Sequence, residues 1–206
     1  MDAEAIQRVP AVNQLLALLA FAFVGTVSPG PNNAVLWASG LQFGFRRTIP
    51  HIVGTALGIG ALVVGVAAGI GVLLDAVPAA ELVLKLVGSA YLLYIAFVVI
   101  GGGAVGRTKV AHPLTVWQGI GFQCVNPKAW IFALAAVAAF LPPELHRLAG
   151  VALLTGILMV VVVGSSSIWA VGGAALGRVV EDERKRRAVS IVLAVLLVAS
   201  VTLIWI

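Results

Sequence analysis

The sequence predicts an all-α, polytopic membrane protein with six transmembrane helices. Three observations carry that expectation: the composition, six long apolar runs, and proline interruptions placed inside two of them. Of the 206 residues, 61% are hydrophobic and 10% charged, whereas a soluble domain carries about half and about a quarter. The mean hydropathy is +1.11. No single globular core of this length hides that much apolar surface, so lipid must act as the solvent. A formal charge of +5 would suggest nucleic acid in a soluble chain. Here the bases sit in short loops between apolar runs, which points to topology and headgroups and not to nucleic acid.

A spanning helix needs roughly 20 mostly apolar residues, and the runs 14–41, 48–74, 82–101, 115–141, 148–177 and 188–206 meet that need. A cleaved secretory signal is the rival reading of the first run. Asp2 and Glu4 against Arg8 give it the wrong charge, and it continues past Pro29 to Leu41 without a small-x-small cleavage site. An uncleaved membrane segment is therefore expected, within one domain over residues 1–206. The connections carry turn and charge signals: Arg46 and Arg47, Pro78, three glycines from Gly101 with Arg107 and Lys109, the pair Pro142-Pro143, and the cluster Arg178–Arg187. The lone Cys124 rules out an internal disulfide.

Counting bases on alternate sides predicts the orientation. The first, third and fifth loops hold Arg46, Arg47, Arg107, Lys109, Arg178, Arg184, Lys185, Arg186 and Arg187. The N-terminus and the other loops hold Arg8, Lys85 and Arg147. The excess belongs on the cytoplasmic side, so both termini are expected outside.

The runs also pair. The first and fourth are long and broken near the middle by proline beside asparagine. The second and fifth are long, rich in Gly or Ser, and unbroken; the third and sixth are shorter and plain. Three spans per half force the halves, about 1–106 and 107–206, into opposite orientations. This is a 3+3 inverted repeat with helices 1 and 4 broken, and matched breaks of that kind point to a transporter's binding site.

The first break reads Ser28-Pro29-Gly30-Pro31-Asn32-Asn33. Its prolines remove two backbone donors and disfavour helix before each ring. The second reads Gln123-Cys124-Val125-Asn126-Pro127-Lys128, where one proline predicts a weaker interruption and Asn126 can cap the half-helix that Pro127 opens. Open backbone at membrane depth is tolerated only where it is buried or lines a wet cavity. The second half-helices would offer N–H groups and a positive dipole end to a carboxylate. The first halves would offer unpaired carbonyls to an ammonium group. A zwitterion suits such a site, and an amino acid is the simplest one. The plain alternative is that these prolines only kink the helices.

Lys128 lies roughly 13 residues from either end of its run, too deep to snorkel easily. No Asp or Glu lies within any of the six runs. Its partner is then backbone carbonyl, Asn32, Asn33 or a substrate carboxylate, unless it merely holds the broken helix together. The same absence argues against a proton relay built on acids, which leaves Lys128, His51 or a change of protonation in the site itself for any proton coupling. His51, at the edge of the second run, reads first as an interfacial residue. Gln118 and Gln123 precede the second break and are candidates for its approach. Ser165–Ser167, with Ser166 as the candidate for the cavity, lie mid-run, where hydroxyls usually bond the preceding turn. Gly54, Gly58, Gly65 and Gly69 have the spacing of a close helix contact. Tyr91 and Tyr94 read as packing residues.

The motifs PGPNN at 29–33, GFR at 44–46 and NPKAW at 126–130, with six spans and a basic last loop, resemble the LysE/RhtB family of amino-acid exporters over essentially the whole chain. The glutamine-x-valine-NPK run and the SIVLAVLLV stretch are most similar to its cysteine and O-acetylserine exporter branch. The resemblance implies export of small neutral amino acids or derivatives from the cytoplasm, driven by the proton-motive force across a bacterial inner membrane. It points to Pro29, Gly30, Pro31, Asn32, Asn126, Pro127 and Lys128. The expected partners are an amino-acid substrate, a coupling proton and the lipid bilayer, with a homodimer as the candidate assembly and no cofactor.

Other classes fit less well. A rhomboid-type intramembrane protease wants Gly-x-Ser-Gly facing a histidine; Gly164-Ser165-Ser166-Ser167 lacks the last glycine. Metal efflux needs buried carboxylates or thiolates. A non-transporting subunit has no need of two matched breaks around a buried lysine.

Overall fold

The computed structural model describes residues 3–69, 112–142 and 146–179, with single helical positions between 82 and 97 and between 188 and 201. Among the described residues there are six helices and no strand: α1 (Ala3–Val27), α2 (Pro31–Phe43), α3 (Phe45–Ala67), α4 (Val116–Val125), α5 (Pro127–Phe140) and α6 (Arg147–Val179). Helices α3 and α6 are each long and apolar enough to cross a membrane alone. At 1.5 Å per residue the 33 residues of α6 reach about 50 Å, more than the hydrocarbon thickness.

The first and fourth runs are broken as expected. Helices α1 and α2 form one bent pair, at 62°, and α4 and α5 the other, at 76°. The second interruption is therefore the sharper, against the expectation from its single proline. The reason is conformational: Asn126 alone separates α4 from α5 and lies outside the helix at φ −89, ψ 108. Bend angle follows the backbone of the linking residues, not the number of prolines.

Each broken pair packs on the long helix of the opposite half. Helices α1 and α2 lie against α6, α4 and α5 lie against α3, and α3 and α6 lie against each other. Lipid tails are as apolar as leucine, so helices in a bilayer gain little by hiding Leu from lipid and associate through close packing. Glycine supplies the closeness. A Cβ on Gly40 of α2 would lie 2.1 Å from the Ala170 carbonyl oxygen of α6, and one on Gly173 would lie 2.1 Å from that of Trp37. On the other side Gly54 of α3 and Gly119 of α4 face each other, and a Cβ on Gly54 would meet the Val116 carbonyl oxygen at 2.3 Å. The Gly54 and Gly58 spacing does what the sequence suggests. Gly69 does not: its φ of +102 and open surroundings make it the turn that ends α3.

The largest apolar cluster joins α1, α3, α5 and α6 through Leu18, Ala22, Ala56, Val63, Ala133 and Leu158 among others. A second places Ala34, Val35 and Phe122 against Ala96 and Ala194, so positions from the third and sixth runs border α2 and α4. The outer surface is apolar, with Leu16, Trp117, Ile131 and Val160 exposed, as suits a lipid solvent.

The ends are tied as well. Gly44, at φ +79, turns α2 into α3, so Arg46 and Arg47 fall in the first turn of α3, not in a loop. Gly177 meets the Leu41 backbone, which brings Arg178 to the same end of the bundle. At the opposite end the Arg147 guanidinium donates to the Ala67 carbonyl, the last of α3. Residues 70–74 of the second run, Tyr91, Tyr94, the Gly101–Gly103 loop and the bases from 184 to 187 lie outside the described residues.

Candidate functional site

The two breaks share one cavity of about 50 Å³. Gly30, Asn32 and Asn33 line it from the first break, and Gln123, Asn126 and Lys128 from the second. Thr55 and Ile59 of α3, Val162, Ser165 and Ser166 of α6, Ala129 and Phe132 of α5, and Gly25 and Thr26 of α1 complete the lining.

At the first break Pro31 occupies the first turn of α2, where its fixed φ suits a helix start. Gly30 precedes it in extended backbone, and no side chain caps the helix. The first backbone bond runs from Ala34 N to Gly30 O at 3.0 Å. The amides of Asn32 and Asn33 are thus the orphan donors of this helix start, at its positive dipole end. The Asn33 carboxamide turns back and donates to Thr26 O (2.7 Å) and Ser28 O (2.8 Å), closing the end of α1.

The second break is self-capped. Asn126 Oδ1 accepts from Lys128 N at 3.2 Å, and Pro127 opens α5. Trp130 Nε1 donates to Cys124 O at 2.7 Å, covering a carbonyl at the end of α4.

Two contacts cross between the breaks. Lys128 Nζ donates to Ser28 O (2.7 Å), Ser28 Oγ (2.8 Å) and Pro29 O (3.2 Å). A lysine at membrane depth costs about 2.5–3.5 kcal/mol; three charge-assisted bonds at about 1.5–3 kcal/mol each more than offset that. Gly30 makes room for it, since a Cβ there would lie 2.9 Å from Lys128 Cδ. In the other direction Gln123 Nε2 donates to Asn32 Oδ1 at 2.9 Å. Asn32 and Lys128 hold equivalent places, each one residue after a helix-opening proline, and each reaches the end of the other break's first half-helix.

The amide orientations follow from one backbone donor. Lys128 N–H fixes Asn126 Oδ1, so Asn126 Nδ2 donates to Gln123 Oε1 (3.3 Å) and Gln123 Nε2 must donate to Asn32 Oδ1. The same oxygen lies 3.2 Å from His51 Nε2 and 3.2 Å from Thr55 Oγ1. His51 Nε2 therefore carries the hydrogen, and His51 Nδ1 is buried with no hydrogen-bond partner among the described residues.

Several expectations change. The carbonyls reserved for a substrate ammonium are taken by the protein itself: Lys128 and Asn33 hold those ending α1, and Trp130 holds Cys124. Of the partners expected for Lys128, backbone carbonyl is the one found, on Ser28 and Pro29, with the Ser28 hydroxyl beside it; Asn32 and Asn33 are not among its partners. His51 is fully buried behind Asn32, one layer from the cavity, because α3 begins at Phe45 and packs its first turns against α2. It is neither interfacial nor in the lining. Gln118 is exposed and closes a capping box with Thr115 at the start of α4, away from the cavity. Pro29, Pro31 and Pro127 shape the breaks without lining the cavity. Ser165 and Ser167 bond Val162 O and Val163 O in the preceding turn, and Ser165 and Ser166 also face the cavity.

Sequence reading missed Thr55, Ile59 and Phe132. His51, Thr55 and Ile59 recur every four residues on α3, a stripe that marks one helix face. The role of Ser28 has no such signal, since its partner is 100 residues away.

Residues 23–203 match the family of LysE type translocators. The cysteine/O-acetylserine efflux protein of Salmonella typhimurium is 29% identical over 184 residues, which are 89% of this chain and 93% of that protein. The protein of the same name in Escherichia coli is 28% identical over the same shares. No solved structure matches the chain at a significant level. The family match takes in both breaks, the cavity between them and both long helices, and the chain therefore belongs to the LysE type translocators.

Proposed function

We propose that the chain is a secondary transporter that exports small neutral amino acids or their derivatives from the cytoplasm, by alternating access around the cavity between the two breaks. The observation that carries this reading is the reciprocal contact of the breaks, Lys128 on Ser28 and Gln123 on Asn32, around one shared cavity. The exchange of packing partners between the halves supports an inverted repeat built on α1–α3 and α4–α6 with the third and sixth runs. A substrate carboxylate fits between the bare amides of α2 and the Lys128 ammonium. Its ammonium group finds Ser166 Oγ and Asn33 Oδ1, which have no protein partner among the described residues. The names of the relatives supply the direction of transport and the amino-acid class.

Proton coupling belongs to the same proposal. The Nδ1 of His51, on the ring whose Nε2 faces the Asn32 oxygen, is the proton-accepting atom assigned to it. The orientation expected from the bases puts Arg46, Arg47 and Arg178 at the cytoplasmic face of a bacterial inner membrane, with both termini outside. A homodimer is the candidate assembly.

Counterflow in proteoliposomes against a panel of labelled amino acids, with and without an imposed pH gradient, tests the proposal. Exchange of cysteine, serine or alanine that accelerates with the gradient is expected. Absence of any amino-acid exchange would overturn the substrate class, and exchange indifferent to the gradient would overturn the coupling.

A further inference from the structure

We infer that Phe132, Ile59 and Val162 form the side-chain pocket of this site and that Phe132 sets its upper size, which selects amino acids with short, uncharged side chains. The inference rests on the amino-acid reading above and adds which part of the substrate meets which wall.

The lining divides by chemistry. Its polar part, the α2 amides with Lys128, is suited to the carboxylate. Ile59, Phe132 and Val162 come from three different helices, are all buried, and belong to one packed apolar cluster. An apolar patch reached from three helices has a defined shape, because none of its members moves without displacing a neighbour. Among the described residues no carboxylate lines the cavity, so a cationic side chain would meet no counter-charge there and would face Lys128 as a like charge.

Phe132 has nowhere to retreat. Its ring stacks on Phe21 with centroids 5.2 Å apart and 6° between planes. On α1 it abuts Gly25, where a Cβ would lie 3.0 Å from two ring carbons. A water-sized group needs about 10–15 Å³ on this measure, so a cavity of about 50 Å³ takes only a handful of such groups. Even alanine, with six non-hydrogen atoms, fills it, so every further side-chain atom presses on this wall.

The test begins with the wild-type protein in proteoliposomes, with labelled alanine counterflow challenged by unlabelled serine, cysteine, methionine, leucine, phenylalanine and lysine. Competition is expected to fall steeply beyond cysteine and to be absent for leucine, phenylalanine and lysine. Leucine competing as well as alanine would overturn the pocket without help from any variant. Two substitutions then move the wall in opposite directions. Phe132→Ala, or the milder Phe132→Leu, should raise leucine and methionine relative to alanine by about tenfold or more. Gly25→Ala should push the ring inward and lower methionine and cysteine relative to alanine. Unchanged ratios in variants that still exchange alanine would also overturn it. If the wild type exchanges no amino acid at all, the amino-acid reading fails first; exchange without a size limit leaves that reading standing and removes this one.

Discussion

The two breaks interrupt membrane helices by different means. The first has two prolines around a glycine and leaves the start of α2 without a side-chain cap. The second has one proline, bends more sharply, and closes on itself through Asn126. Their open ends differ accordingly. At the first break the carbonyl end is filled by Lys128 and Asn33 while the amide end stays bare. At the second the amide end is capped and the lysine leaves to serve the other break. On the function proposed above, the first break receives the substrate's anion and the second supplies the charge that holds it, so equivalent positions in the two halves take complementary tasks.

Removing the charge is expected to have the largest effect. In Lys128→Met the Pro29 carbonyl and the Ser28 hydroxyl lose their lysine donor, the Ser28 carbonyl keeps only Asn33, and the α2 amides lose their neighbouring cation. Counterflow should fall by about 100-fold, equivalent to about 2.7 kcal/mol, at unchanged membrane abundance. Lys128→Arg should restore little of it, because a planar guanidinium cannot gather three closely spaced acceptors as a tetrahedral ammonium does. Wild-type counterflow in Lys128→Met would remove the lysine from the site and equalise the two breaks.

Much of this was legible because its causes are local. Apolar runs mark the candidate spans, and Pro31 and Pro127 open half-helices at the first helical position, where a missing N–H costs nothing; Pro50, inside α3, breaks nothing. Asn126 could be read as a cap from the residue that follows it. The box Thr115-x-x-Gln118 also carries its own signature, yet nearness to the break drew Gln118 into the site. What stayed hidden depends on tertiary packing. His51 looked interfacial by its place at the edge of the second run, but helix α3 carries it against Asn32. The filling of the first break's carbonyl end by Lys128 depends on a contact between opposite halves, to which no window of sequence is sensitive.

A middle-sized effect separates receiving from holding. Gly30→Ala places a methyl against Lys128 Cδ, a flexible neighbour that can shift. It should lower counterflow by about tenfold, which is about 1.4 kcal/mol, and leave the thermal midpoint in detergent nearly unchanged. Asn126→Ala removes a cap at a cost of about 1 kcal/mol and frees Gln123 Oε1, so the midpoint should fall by about 2–4 °C. If Gly30→Ala unfolds the protein while Asn126→Ala only slows it, the tasks of the two breaks are the reverse of those assigned here.

The smallest effect comes from the glutamine that the structure removes from the site. Gln118 and Gln123 lie five residues apart on the ten-residue helix α4, one at its exposed start and the other buried at the cavity. Gln118→Ala removes half of a capping box at a cost of at most about 1 kcal/mol; Gln123→Ala removes the donor that joins the second break to Asn32. Counterflow rate and selectivity should be unchanged in the first variant and reduced in the second. The pair also tests whether α4 transmits strain along its length. Its middle is held backbone to backbone against Gly54 of α3, so fraying at Thr115 should stop there. Equal losses from both substitutions would mean that α4 moves as one lever, and that the second break is positioned from its outer end and not by Asn126.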